Sequence, residues 1–232
     1  MLFYNPTYFL YMLPALLLMM AAQWYVSSVY RKWSQVPNRS RLSGAEAAQR
    51  LIRNGGLYEV EVEGVAGNLS DHYDPRKKVL RLSQGVHQGR SVAAVAIAAH
   101  ELGHAMQDQE GYALLRLRSA LVPAVNIGST LGWILIILGL VLRMSGLAWL
   151  GVLVFAAGAV FALATLPVEL NASARAKQML LQTGIVVGED EQRGVNNVLN
   201  AAAMTYIAAL ATAVLQLLYY VSLVGGMGGR RR

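Results

Sequence analysis

Four stretches of this chain carry no charged side chain: Met1 to Tyr30, Ser119 to Leu142, Met144 to Val168 and Val195 to Gly229. At a rise of about 1.5 Å per residue, roughly 20 apolar residues cross a hydrocarbon layer about 30 Å thick. Each stretch holds a core of that length, and the pattern predicts membrane-spanning helices near 8–28, 120–142, 147–167 and 201–224. Such runs can also be buried helices of a water-soluble protein, but four of them in 232 residues argue against that. The first run could be a cleaved leader. It lacks a basic start and a convincing small-residue cleavage site, so an uncleaved anchor is the better reading.

The polar segments between these runs show other periods. Ser43-Gly44-Ala45-Glu46 fits a capping box opening a helix that Gly55-Gly56 would end. From Leu57 to Val62, Tyr58, Val60 and Val62 alternate with Glu59 and Glu61, which predicts a half-exposed strand; Val79 to Leu82 predicts a second, after a turn at Asp74-Pro75. Arg90 to about Gln109 is Ala-rich and free of Pro, a helix too short and too polar at its end to span. A further helix should start near Pro167 and stop at Gly184. The resulting layout is an anchor (1–30), an α/β domain (31–118), a transmembrane hairpin (119–168), a polar helix (169–200), and a last span with a basic tail (201–232).

Composition agrees with a membrane setting, since 55% of the residues are hydrophobic and only 14% are charged. The net charge of +7 could suggest nucleic acid, so placement decides. Thirteen of the 20 Lys and Arg lie between Arg31 and Arg118, and Arg175, Lys177 and Arg193 lie between the third and fourth runs. Four spans put those two segments on one side, and the positive-inside rule makes that side the cytoplasm. The tail Arg230-Arg231-Arg232 disagrees with that orientation. No role for nucleic acid is implied; the lipid bilayer is the expected partner. The chain has no cysteine, which excludes thiolate metal sites and a cysteine nucleophile.

The predicted helix ending at Gln109 carries His100-Glu101-Leu102-Gly103-His104. Histidines four apart project from one helix face and can meet one tetrahedral ion, while the adjacent carboxylate can take a proton from a metal-activated water and return it to a leaving amine. Chance placement gives this pattern in only roughly a few per thousand shuffled chains. The plain alternative is two histidines buried for packing.

Zinc also needs a third protein ligand. Glu110 lies six residues after His104, as in the extended metalloprotease pattern, but Gln107 stands where that pattern needs a chain-reversing Gly. Glu169 opens the next polar segment, beside Ala172 and Ala176, and the hairpin would bring it back to the histidines. It could equally be a carboxylate at a helix N-terminus, where the dipole favours it.

Three stretches carry a likeness to known proteins: Leu69-Ser70-Asp71-His72-Tyr73-Asp74-Pro75; Ala98 through Gln107; and Leu166-Pro167-Val168-Glu169-Leu170-Asn171-Ala172-Ser173-Ala174-Arg175-Ala176. With the four apolar runs, the chain resembles the YugP-type neutral zinc metallopeptidases of bacterial membranes over nearly its whole length. More distantly it is similar to the HtpX-like and prenyl-protein membrane metallopeptidases, in which a Glu on a later helix completes the zinc site. That resemblance implies Glu169 as third ligand. Those enzymes follow the Glu four residues later with an Asp that orients a ligand histidine; here the position is Ser173.

His72 and Tyr73 precede the motif helix, and either side chain could donate to the oxyanion of a tetrahedral intermediate; a turn held by Asp71 and Asp74 is the plainer reading. A site-2-type intramembrane protease would need an acidic ligand in a later span, and Ala201 to Val224 has none. Transport would need ionisable groups inside the runs, which also have none. The expectation is a mainly α membrane protein with about four transmembrane helices and a small α/β zincin-like domain carrying the His-Glu-x-x-His helix. It would be a zinc endopeptidase of the cell membrane, acting on peptides or membrane proteins with its site facing the cytoplasm. His100, His104 and Glu169 would hold Zn2+, Glu101 would be the base, and His72 or Tyr73 would assist. The rival is a non-catalytic scaffold or chaperone adaptor with a structural zinc site.

Overall fold

The computed structural model describes residues 6–228, so the tail Arg230-Arg231-Arg232 lies outside the described residues. Within the described residues, the four predicted spans fall in helices α1 (Pro6–Ser34), α5 (Ala113–Val141), α6 (Ser145–Gln182) and α7 (Glu189–Gly228). All four are long and apolar enough to cross a membrane. Two are longer than the sequence pattern suggests. Pro167 does not start a new helix; it lies inside α6, which is continuous over 38 residues. In the same way α7 is continuous over 40 residues, so no break separates the expected polar and apolar segments around residue 200. Its first turn carries Glu189, Asp190 and Glu191, which suit the positive end of the helix dipole.

The remaining elements are α2 (Gly44–Gly55), β1 (Glu61–Val65), β2 (His72–Asp74), β3 (Val79–Ser83), α3 (Gln84–His87) and α4 (Val92–Gln109). Helix α2 opens as expected, with the Ser43 hydroxyl accepting from Glu46 N–H and the Glu46 carboxylate accepting from Ser43 N–H. It closes on Gly56 in the left-handed region at φ 66°. The first strand differs from expectation. Leu57 N–H donates to Ile52 O and Val60 N–H to Leu57 O, so the chain is still turning through 57–60 and pairs only from Glu61. His72 to Asp74, for which a turn held by Asp71 and Asp74 is the plainer reading of the sequence, form a third strand. The sheet has the order β1-β3-β2, with β1 parallel and β2 antiparallel to β3.

The chain divides into two compact units. One comprises Trp24–Leu115 and Val168–Met204, which gathers the segments expected as a 31–118 domain and a 169–200 helix. Its core contains Leu51 of α2, Leu80 and Leu82 of β3, Leu102 of α4, Leu180 of α6 and Leu199 of α7. Helix α4 is buried almost all round, which explains the run of small residues from Ala93 to Ala99.

The other unit comprises Met1–Gln23, Arg116–Pro167 and Thr205–Arg232. Within its described part, α5 and α6 touch through backbone. A Cβ built on Gly132 would lie 2.8 Å from Phe155 N, and one on Gly139 would lie 2.7 Å from Ala148 Cα. Close backbone approach at small residues is how helices associate where lipid removes the hydrophobic drive. Phe155, Tyr219 and Tyr220 pack nearby, with Phe155 and Tyr220 edge to face at 4.9 Å between ring centroids.

Candidate metal centre

Helix α4 begins where the Ser91 hydroxyl accepts from Ala94 N–H, and from that start His100 and His104 fall on one face. Their rings stand edge to face with centroids 5.0 Å apart. Glu169 approaches from α6 and is 1% exposed, one of the largest fully buried side chains in the chain. Its Oε2 lies 3.2 Å from His100 Nε2 and 3.4 Å from His104 Nε2. The three possible ligand atoms all lie within 4.8 Å of one another. Of the two carboxylates the sequence left open, Glu169 is therefore the one beside the histidines. Glu110 caps α4 and forms a two-pronged ion pair with Arg175, with distances of 2.6 and 2.7 Å.

Helix α6 can come this near because of Gly103 in the middle of the motif. A Cβ there would lie 3.0 Å from the carbonyl carbon and Cα of Ala172 and closer still to its carbonyl oxygen. The third letter after His100 is thus set by packing, and it delivers the carboxylate three residues upstream on α6.

Glu101 is tied to the sheet while remaining in electrostatic reach of His100, His104 and Glu169. Its Oε2 accepts a hydrogen bond from the backbone N–H of Tyr73 in β2 at 3.1 Å. Burial pushes its carboxyl above the ordinary carboxylate range, with His100 and His104 pulling against that shift. The Tyr73 hydroxyl donates to Asp108 Oδ2 at 3.0 Å, where Lys78 Nζ also arrives at 2.6 Å. Burial and then the Asp108 contact push the phenol upward in pKa. The His72 ring turns to the Ser70 carbonyl, with Nδ1 at 2.9 Å, and is exposed. The structure thus brings the backbone of Tyr73 to Glu101 and engages the Tyr73 and His72 side chains with other groups.

Each of the two histidines has an oxygen partner at its other nitrogen. Ser173 Oγ, four residues after Glu169, lies 3.2 Å from His100 Nδ1. Gln107 Oε1 lies 3.0 Å from His104 Nδ1. Sequence reading treated Gln107 only as the residue that bars Glu110 from the metal. Its spacing of three from His104 was the available signal, since i and i+3 share a helix face.

The donor set fits zinc. Bonds of about 2.0–2.1 Å in a tetrahedral site give ligand-to-ligand edges of about 3.3 Å, and the two nitrogen-to-oxygen separations here are 3.2 and 3.4 Å. Two imidazoles and one carboxylate leave the fourth position open, as in catalytic zinc sites, whereas structural sites close with four protein ligands.

Residues 8–225 match the family described as "Putative neutral zinc metallopeptidase". The chain is also 46% identical over 200 residues, 86% of its own length and 88% of the relative's, to "Putative membrane protease YugP" of Bacillus subtilis (strain 168). No solved structure matches it.

Proposed function

We propose that this chain, which belongs to the putative neutral zinc metallopeptidase family, is a membrane-bound zinc endopeptidase that cleaves peptides or membrane proteins on the cytoplasmic side. The observation that carries the reading is the buried cluster of His100 Nε2, His104 Nε2 and Glu169 Oε2, with separations suited to one tetrahedral ion. These three residues would hold zinc. When bound, the metal supplies Lewis acidity that polarises a carbonyl and lowers the pKa of water toward neutrality. Glu101 is the proton carrier, accepting a proton from the attacking water and passing it to the leaving amine. In the structure described above, Tyr73 N–H steadies its Oε2. His72 and the Tyr73 hydroxyl retain the assisting role only if substrate draws them from Ser70 and Asp108. Helix α4 packed beside a small sheet supports a zincin-like description of this unit. The excess of Lys and Arg between Arg31 and Arg118 supports the cytoplasmic placement.

The test uses the purified full chain in detergent. About one zinc per chain is expected, together with cleavage of a peptide library that Glu101→Gln lowers by about 10²-fold or more while zinc stays bound. A wild-type chain that binds no zinc, or a Glu101→Gln variant with unchanged turnover, refutes the proposal.

A further inference from the structure

We infer that Gln107 is the positioning residue of this centre: its side-chain amide fixes the proton of His104 on Nδ1 and aims the Nε2 lone pair at the metal position. The inference rests on reading the centre as a metal site. It follows from a chain of hydrogen bonds in which each assignment forces the next. Arg175 can only donate, and its Nε lies 2.8 Å from Asn171 Oδ1, so an acceptor must stand there. Glu110 holds that guanidinium in place through both of its carboxylate oxygens. Gln107 Nε2 lies 2.9 Å from the same Asn171 oxygen and 2.8 Å from the carbonyl oxygen of Val168. Both neighbours are acceptors, so the amide NH2 must face them and both its protons are used.

The Gln107 carbonyl oxygen is therefore the atom that faces His104, 3.0 Å from Nδ1. A carbonyl cannot donate, and so Nδ1 carries the proton. In the neutral ring Nε2 is then a lone pair directed at Glu169 Oε2, 3.4 Å away. Two acceptors at that distance repel unless a metal ion or a proton lies between them. Gln107 thereby leaves Nε2, and not Nδ1, as the atom of His104 that faces Glu169 with its coordination free for a metal ion. Ser173 cannot enforce the same outcome at His100, because a hydroxyl both donates and accepts.

Gln107 is 0% exposed, so the network is not diluted by solvent. It also joins α4 to α6, since Val168, Asn171 and Arg175 all lie on the helix that carries Glu169. A purely structural tie and a positioning role make different predictions for two replacements. Gln107→Met keeps the length and removes every hydrogen bond. Gln107→Glu keeps an acceptor for His104 Nδ1–H and removes both donors to α6.

Zinc affinity of the purified full chain is measured by chelator competition, and the unfolding midpoint is followed in the metal-free state. Gln107→Met is expected to weaken zinc about ten- to a hundredfold, the range seen when a partner of a ligand histidine is lost, and Gln107→Glu to restore most of that loss. Both should lower the metal-free midpoint, Gln107→Glu the more, since it also sets a buried carboxylate oxygen against two acceptors on α6. Wild-type affinity in Gln107→Met, or equal weakening in the two variants, overturns the inference. Imidazole proton spectra of the metal-free chain test it apart from zinc. A His104 Nδ1–H that exchanges slowly with solvent should be present in the wild type and in Gln107→Glu and be lost in Gln107→Met. Its absence from the wild type overturns the inference even if zinc binds, whereas its presence in a chain that binds no zinc would sink only the metallopeptidase reading.

Discussion

Gly103→Ala isolates the contact on which the proposed third ligand, Glu169, depends. The added Cβ would sit 3.0 Å from the carbonyl carbon and Cα of Ala172, where carbon pairs prefer about 3.5–4.0 Å. The helices must part locally by about 0.5–1 Å. Because the crowding atoms are backbone, no shortening of a side chain on α6 relieves it. Two energies oppose each other. Ala in place of Gly favours the helix by about 0.8–1.0 kcal/mol, and overpacking costs about 1–3 kcal/mol, so global stability should change by no more than about 2 kcal/mol in the unfavourable direction. The metal geometry has less latitude. Separations of 3.2 and 3.4 Å between Glu169 Oε2 and the two Nε2 atoms would lengthen, while metal-ligand distances tolerate only about 0.2 Å. Zinc affinity should fall at least about tenfold, in line with loss of support around a ligand, with the chain still folded. Chelator competition and thermal unfolding of the same detergent-solubilised sample separate the two quantities. An affinity within twofold of the wild type, or a higher unfolding midpoint as propensity alone would give, refutes the reasoning.

The other outcomes follow from the same geometry. Glu169→Ala should lose zinc, whereas Glu110→Ala, which breaks a half-exposed pair with Arg175, should keep it; the reverse result in a metal assay would reassign the third ligand. A single cysteine placed at Gln88 of this cysteine-free chain should resist an impermeant thiol reagent applied to intact cells and react after lysis, and labelling from outside would invert the proposed orientation.

The apolar runs and the motif were legible because each is a local pattern: charge-free length for the spans, and a spacing of four for His100 and His104. The box at Ser43 and Glu46 was legible for the same reason. What the sequence concealed is non-local. Pro167 looked like a helix start, and nothing local reveals that α6 runs through it. The alternation from Tyr58 to Val62 looked like a strand, but the left-handed Gly56 and the turn that follows delay pairing to Glu61. The sequence favours Glu169 over Glu110 because Gln107 stands where a chain-reversing Gly is needed and the hairpin returns Glu169 to the histidines, a choice the resemblance strengthens; the structure adds Arg175, which holds Glu110, and Gly103, which admits α6. Gln107 makes its contacts across 61 and 64 residues of sequence, beyond the reach of any periodicity.

The separation of 69 residues between His100 and Glu169 also sets an order of events during biosynthesis. A ribosome adds about 5–20 residues per second, so the first histidine waits roughly 3–14 s before the carboxylate that completes its centre has been made. The α5–α6 turn, Leu142 to Met144, is finished before Glu169 is translated. A nascent chain therefore carries His100, Glu101 and His104 before Glu169 exists, and under the proposed function it could act as a peptidase only after most of its own length has been made.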